Sequence, residues 1–97
     1  MIFELLGMGH ANAVTASKLA AELGTTVRQV QAAVRRERLD GIPICATKAV
    51  PPGLFIASDP TELERYRHSL DSELRNLRMT RDAVSDMLDT MTGQVRL

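Results

Sequence analysis

Apolar and polar positions divide the chain near Ser58-Asp59-Pro60. Before that point the apolar runs are short and broken by Gly and Pro. After it neither residue recurs until Gly93. Phe3, Leu5 and Leu6 predict a short apolar helix over residues 2–7, ended by Gly7 and Gly9. Asn12-Ala13-Val14 suits a very short strand. Thr15 reads as the N-cap of a helix in which Leu19 and Leu23 fall at i, i+4, and Gly24 stands where a left-handed cap is needed. Thr25-Thr26 starts a second helix at once. Its inward positions are Val27, Val30, Ala33 and Val34, then Leu39, and Asp40-Gly41 stops it.

Two β-prone runs follow, Ile42-Pro43-Ile44-Cys45-Ala46 and Leu54-Phe55-Ile56-Ala57. The segment Thr47-Lys48-Ala49-Val50-Pro51-Pro52-Gly53 joins them as a hairpin loop too long and Pro-rich for a two-residue turn. Pro43 limits the first run to an edge or a strand start. Asp59 or Thr61 then caps a last helix, with acids in its first turn to suit the helix dipole. That helix runs without interruption from Glu62 to Thr92, about 46 Å at 1.5 Å per residue. Leu63, Leu70, Leu77, Val84 and Met91 recur every seven residues, and Arg67, Leu74, Arg81 and Leu88 form a companion row four residues on. Such a seam predicts self-association. The expected homodimer contacts are Leu63, Leu70, Leu74, Leu77, Val84, Leu88 and Met91. Arg67 and Arg81 set orientation or register, and the pattern leaves parallel and antiparallel pairing open.

With 97 residues the chain has room for one small domain and an appendage: residues 1–60, then a helix over 61–97 with a frayed C-terminus. Aromatic residues are 3% and Trp is absent, so the core must be aliphatic. A single cysteine, Cys45, excludes an intramolecular disulfide framework and suits a reducing, cytoplasmic setting. No apolar run is long enough for a transmembrane helix. The opening Met-Ile-Phe-Glu-Leu-Leu lacks the basic region of a signal peptide. Twelve basic and twelve acidic residues balance. Residues 1–58 hold six basic against four acidic residues, and residues 59–97 hold six against eight. Four of those first six basic residues lie within residues 28–38, so the positive charge is local.

Catalytic and metal chemistry find little support. His10 and His68 lack metal-ligand spacing. Cys45, between Ile44 and Ala46, reads as a small buried hydrophobe. Ser17 and Ser58 have no nearby base, and Gly7-Met8-Gly9 is too short to cradle a phosphate. The expectation is a non-enzyme with no cofactor, metal or small-molecule ligand.

Residues 15–41, TASKLAAELGTTVRQVQAAVRRERLDG, carry the stronger signal. Ala20 is small where two helices cross, Gly24 supplies the turn, and Val30 locks the angle, as a helix-turn-helix requires. Helix, short strand, helix-turn-helix and a Pro/Gly-containing hairpin, in that order, resemble a winged-helix DNA-binding domain in the pattern of the biotin-repressor and DeoR-type domains. The stretch LDGIPICATK…PPGLFIASD also resembles small phage and prophage winged-helix proteins. The long C-terminal helix is similar in architecture to replication-terminator and PadR-like dimers. The resemblance implies a mainly α fold, an α+β winged helix: a three-helix core, a β-hairpin wing and a long coiled-coil-type helix. It implies a dimeric, cytoplasmic, nucleoid-associated transcriptional regulator of double-stranded DNA, of phage or mobile-element origin. The rival readings are a winged-helix protein–protein interaction module and a replication-control or terminator-like protein.

The outward residues of the second helix fit the first reading. Thr26, Arg28, Gln29, Gln31, Ala32, Arg35 and Arg36 lie outward or at the margin. Arg reads guanine bidentately, Gln reads adenine, and an exposed Ala leaves room for a thymine methyl. Arg38 and Lys48, with Thr15, Ser17 and Lys18 at the preceding helix start, suit phosphates. The hairpin tip, Val50-Pro51-Pro52, is apolar, so the wing meets either DNA or a protein partner.

Overall fold

The computed structural model describes residues 1–93. The fold is mainly α, with three α-helices, the last of them long, and a two-stranded antiparallel hairpin among the described residues. In chain order these are a 3-10 turn at Ile2–Leu5, a second at His10–Asn12, α1 (Ala16–Leu23), α2 (Val27–Leu39), β1 (Ile44–Thr47), β2 (Gly53–Ile56) and α3 (Pro60–Met91). The chain divides into two units, Met1–Tyr66 and the part from Arg67 onward.

The first unit is held by an aliphatic core. Ile2, Leu6, Leu19, Ala20, Val30, Val34, Ile44 and Leu54 form one buried cluster, with Phe3, Val14, Ala33, Ile42 and Ile56 packed at its edge. Leu19 and Val30 are almost completely buried, so truncating Leu19 to alanine costs about 2–5 kcal/mol. Three expected core positions turn outward instead. Leu39 is 81% exposed, because five residues of helix place it far around α2 from Val34. Val27, in the first turn of α2, and Leu23, at the end of α1, are also exposed, though less so.

The first helix is shorter than the pattern suggests, a single 3-10 turn whose Leu5 faces solvent. Two of its backbone N–H groups donate to a side chain of α2, and the chain is already extended at Leu6. The strand expected at residues 12–14 is reduced to one bridge, in which Val14 and Leu54 exchange both backbone hydrogen bonds. Met8 makes a second bridge to Ile56. The segment from Met8 to Val14 therefore satisfies the side of β2 that β1 leaves open.

The hairpin pairs Ile44 with Ile56, Cys45 with Phe55, Ala46 with Leu54 and Thr47 with Gly53. β1 begins at Ile44, after Ile42 and Pro43, and the Ile42 N–H instead closes the end of α2 on the Glu37 carbonyl. Gly53 is required by its surroundings: its φ is +130°, and a Cβ there would lie 2.2 Å from the Val14 carbonyl oxygen. In α3, the Asp59 carboxylate accepts the Glu62 N–H, so Asp59 rather than Thr61 is the cap, and Pro60 takes the first helical position. α3 ends at Met91; of the frayed C-terminus expected for the helix over 61–97, residues 94–97 lie outside the described residues. Among the described residues no helix is long and apolar enough to cross a membrane.

Candidate nucleic-acid interface

Local hydrogen bonding fixes α1, its turn and α2 as a unit. The Thr15 hydroxyl caps α1 by accepting the Lys18 N–H at 3.2 Å. At the other end Gly24 is left-handed (φ 65°, ψ 35°). The Thr25 N–H reaches back to the Ala20 carbonyl while the Gly24 N–H bonds Ala21. This double bond pattern satisfies carbonyls that the helix end would otherwise orphan. Thr26 restarts the chain by accepting the Gln29 N–H, and the Thr25 hydroxyl donates to the Gln29 side-chain oxygen. Three residues, Gly24–Thr26, thus reverse the chain between the helices. Ala20 on α1 and Val30 and Val34 on α2 are buried.

α2 has two chemically opposed faces. Val30 and Val34 are 0% and 2% exposed, whereas Arg28, Gln29, Gln31, Ala32, Arg35 and Arg36 are all exposed. Arg28, Ala32 and Arg35 fall at i, i+4 and i+7, so they line one solvent-facing stripe, with Gln31 beside it. The side chains of Arg28, Arg35 and Arg36 make no hydrogen bond or ion pair with other described residues. Gln29 is partly committed through Thr25, and Thr26 through its cap. Ser17 and Lys18 are exposed in the first turn of α1, and Lys48 is exposed in the β1–β2 loop.

Arg38 departs from the expectation of a phosphate contact. Its Nε donates to the Ile44 carbonyl at 2.7 Å, and its guanidinium carbon lies 4.7 Å from the centre of the Tyr66 ring. Its Nη2 is buried without a hydrogen-bond partner among the described residues, and the face of the Tyr66 ring supplies a weaker attraction for the cation. Arg38 joins α2 to β1 and to the first turns of α3, and is not part of the exposed basic face.

Glu37 is the residue that sequence reasoning missed. It is 5% exposed and accepts the N–H groups of Ile2 at 3.1 Å and Phe3 at 2.8 Å. Its spacing held the signal, for it follows Val34 by three residues and Val30 by seven and so shares the inward face. It fastens the N-terminal turn across the back of α2, opposite the exposed stripe.

The hairpin loop is fastened too. His10 Nε2 lies 3.2 Å from the Ala49 carbonyl and 3.1 Å from that of Pro51; carbonyls only accept, so this nitrogen carries the proton. The His10 ring stacks on Phe55 with centroids 5.5 Å apart. The Glu62 carboxylate accepts the Ser58 N–H and hydroxyl and the His10 N–H, and these bonds hold it below the usual carboxylate range, those from Ser58 most. Cys45 is fully buried, and its thiol is pushed up, first by burial and then by the Glu62 charge, against a smaller opposing pull from Arg38. A raised thiol is a poor nucleophile. No cluster of His, Cys, Asp and Glu suited to a metal occurs among the described residues.

On α3 every residue of the expected seam is exposed, including Leu63 at 43%, Leu77 at 67% and Met91 at 86%, and the helix contains no buried residue. Neither a known protein family, nor a curated protein, nor a solved structure matches the chain.

Proposed function

We propose that the chain is a sequence-specific double-stranded-DNA-binding protein that works as a homodimer in transcriptional regulation, in the cytoplasm and associated with the nucleoid. The observation that carries this reading is the division of α2 into a buried valine face and an exposed Arg/Gln/Ala face. Arg28, Gln31 and Arg35 read base edges in the major groove, with Ala32 against a thymine methyl. Lys18, Ser17 and the Thr15 cap at the start of α1, and Lys48 in the hairpin loop, meet phosphates. Zero net charge is compatible with this because only the recognition face needs to be basic. Pairing through α3 makes the second half-site contact effectively intramolecular, so two modest affinities combine.

The test is binding of alanine variants to a DNA site selected from genomic fragments and to scrambled DNA. Arg28→Ala is expected to lower affinity for the selected site by about 1–3 kcal/mol and relax base choice at one position. Lys18→Ala and Lys48→Ala weaken all sequences alike and flatten the salt dependence. If Arg28→Ala, Gln31→Ala and Arg35→Ala all bind as the parent does, the assignment of α2 fails. A protein-interaction module is then the better reading. The observation favouring that alternative is apolar surface: Met1, Leu5 and Leu23 are exposed around a hollow between the N-terminal turn and α2, and Val50 at the hairpin tip is 88% exposed.

A further inference from the structure

The seam of α3 is apolar along most of its length, and its exposure runs from 38% at Leu70 to 86% at Met91. Resting on the self-association proposed above, we infer that its occupant is a second copy of α3 running in the opposite direction, with Leu74 of each chain facing the partner's Leu77. That register also sets Leu63 against the partner's Leu88, Arg67 against the partner's Val84 and Leu70 against the partner's Arg81.

Charge order along the helix selects this direction. Asp71 and Glu73 lie just before Leu74, and Arg78 and Arg81 lie just after Leu77. Reversing the partner brings Arg78 beside the partner's Asp71, and Arg81 between the partner's Asp71 and Glu73. The two-fold axis repeats the set, so two cations meet two anions at each end of the central layers. The surface hollow at mid-helix is lined by Leu74 and Leu77 with Asp71, Arg78 and Arg81 of this set, and by Arg75. Arg81 is bonded at 3.0 Å to Asp82 of its own chain, but both side chains are more than half exposed. A surface pair of that kind contributes little and is readily exchanged for a partner across the seam.

Parallel pairing lacks this complementarity. It places Arg67 on the partner's Arg67 and Arg81 on the partner's Arg81 inside the seam, where partial removal of water strengthens repulsion. Only one attraction crosses its flank, between Glu73 and the partner's Arg78, and Asp71 falls beside the partner's uncharged Tyr66. In the antiparallel arrangement each seam arginine faces an apolar residue, along which its methylene stem packs while the guanidinium reaches the edge.

The experiment is sedimentation equilibrium of the full chain and two charge variants, with helicity checked by circular dichroism. The changed residues are exposed, so the fold is retained. Asp71→Arg is expected to raise the dimer dissociation constant about tenfold, and adding Arg78→Asp in the same chain to restore it to within about threefold. Parallel pairing gives the reverse: little effect of Asp71→Arg, and a double variant weaker than the single one. That result, with the parent still dimeric, overturns the direction and leaves self-association standing. A parent that is monomeric at about 100 μM overturns both. Oxidative cross-linking gives an independent readout. A mixture of Leu63→Cys and Leu88→Cys chains is expected to yield the mixed dimer. Leu63→Cys alone is expected not to cross-link, since its two copies would lie about 37 Å apart along the helix pair. Efficient cross-linking of Leu63→Cys to itself overturns the inference.

Discussion

Replacing Glu37 by alanine isolates the bond between α2 and the N-terminal turn. The carboxylate is 5% exposed and accepts two backbone N–H groups, one on a buried residue and one on a half-buried residue. A hydrogen bond to a charged group contributes about 1.5–3 kcal/mol, and a buried donor left without an acceptor costs a similar amount. The Ile2 N–H has no ready replacement for its acceptor, whereas the Phe3 N–H regains some water. The expected loss is therefore about 2–4 kcal/mol, a large part of the stability of so small a unit. For a cooperative unit of this size each kcal/mol shifts the melting temperature by about 4–8 °C, so Glu37→Ala should melt roughly 8–32 °C below the parent. Calorimetry and guanidinium denaturation measure this. Glu37→Gln keeps one oxygen acceptor but loses the charge, and should fall between the two. Below its melting temperature Glu37→Ala should keep the DNA binding proposed for the parent, because the residue lies opposite the exposed stripe. A Glu37→Ala protein melting within about 3 °C of the parent would refute the reasoning, since the loss would then be under about 1 kcal/mol.

Three further outcomes are expected. Arg38→Ala should lower the melting temperature while leaving the salt slope of DNA binding unchanged, because its guanidinium is bound to the Ile44 carbonyl and stacked on Tyr66; a flattened slope would return Arg38 to the phosphate contacts. The Glu62 carboxyl is held below its ordinary value in the folded chain, so its contribution is fully present above the ordinary glutamate range and is lost as pH falls through the lowered value. Glu62→Gln should accordingly remove part of the stability lost between neutral and acid pH, read from denaturant midpoints at both. Cys45 should resist thiol reagents until the chain unfolds, and Cys45→Ala should cost only about 1 kcal/mol with DNA binding intact. Rapid modification of the folded protein would show that the thiol is reached from solvent.

The local chemistry of the helices was legible in the sequence. Thr15, Gly24, Thr26 and Asp40-Gly41 mark the ends of α1 and α2 through side-chain caps and left-handed turns, and these act within four or five residues of chain. The outward Arg/Gln face follows from the helical period once Val30 and Val34 are taken as inward. The heptad row of α3 is legible for the same reason. What only the tertiary structure decided depends on contacts between distant parts of the chain. Its spacing from Val30 and Val34 sets residue 37 on the inward face, but nothing nearby supplies a partner for a buried carboxylate; that comes from the turn at Ile2–Leu5, thirty-five residues away, which presents two N–H groups to it. Arg38 belongs by sequence to a basic cluster and by structure to the packing of β1 and Tyr66, because the last turn of α2 faces both. The strand expected at residues 12–14 became a single bridge because the edge of β2 needs partners only at Val14 and Met8. Periodicity and capping are properties of a few consecutive residues, whereas burial of a charge or pairing of a sheet edge requires knowing what the rest of the chain brings alongside.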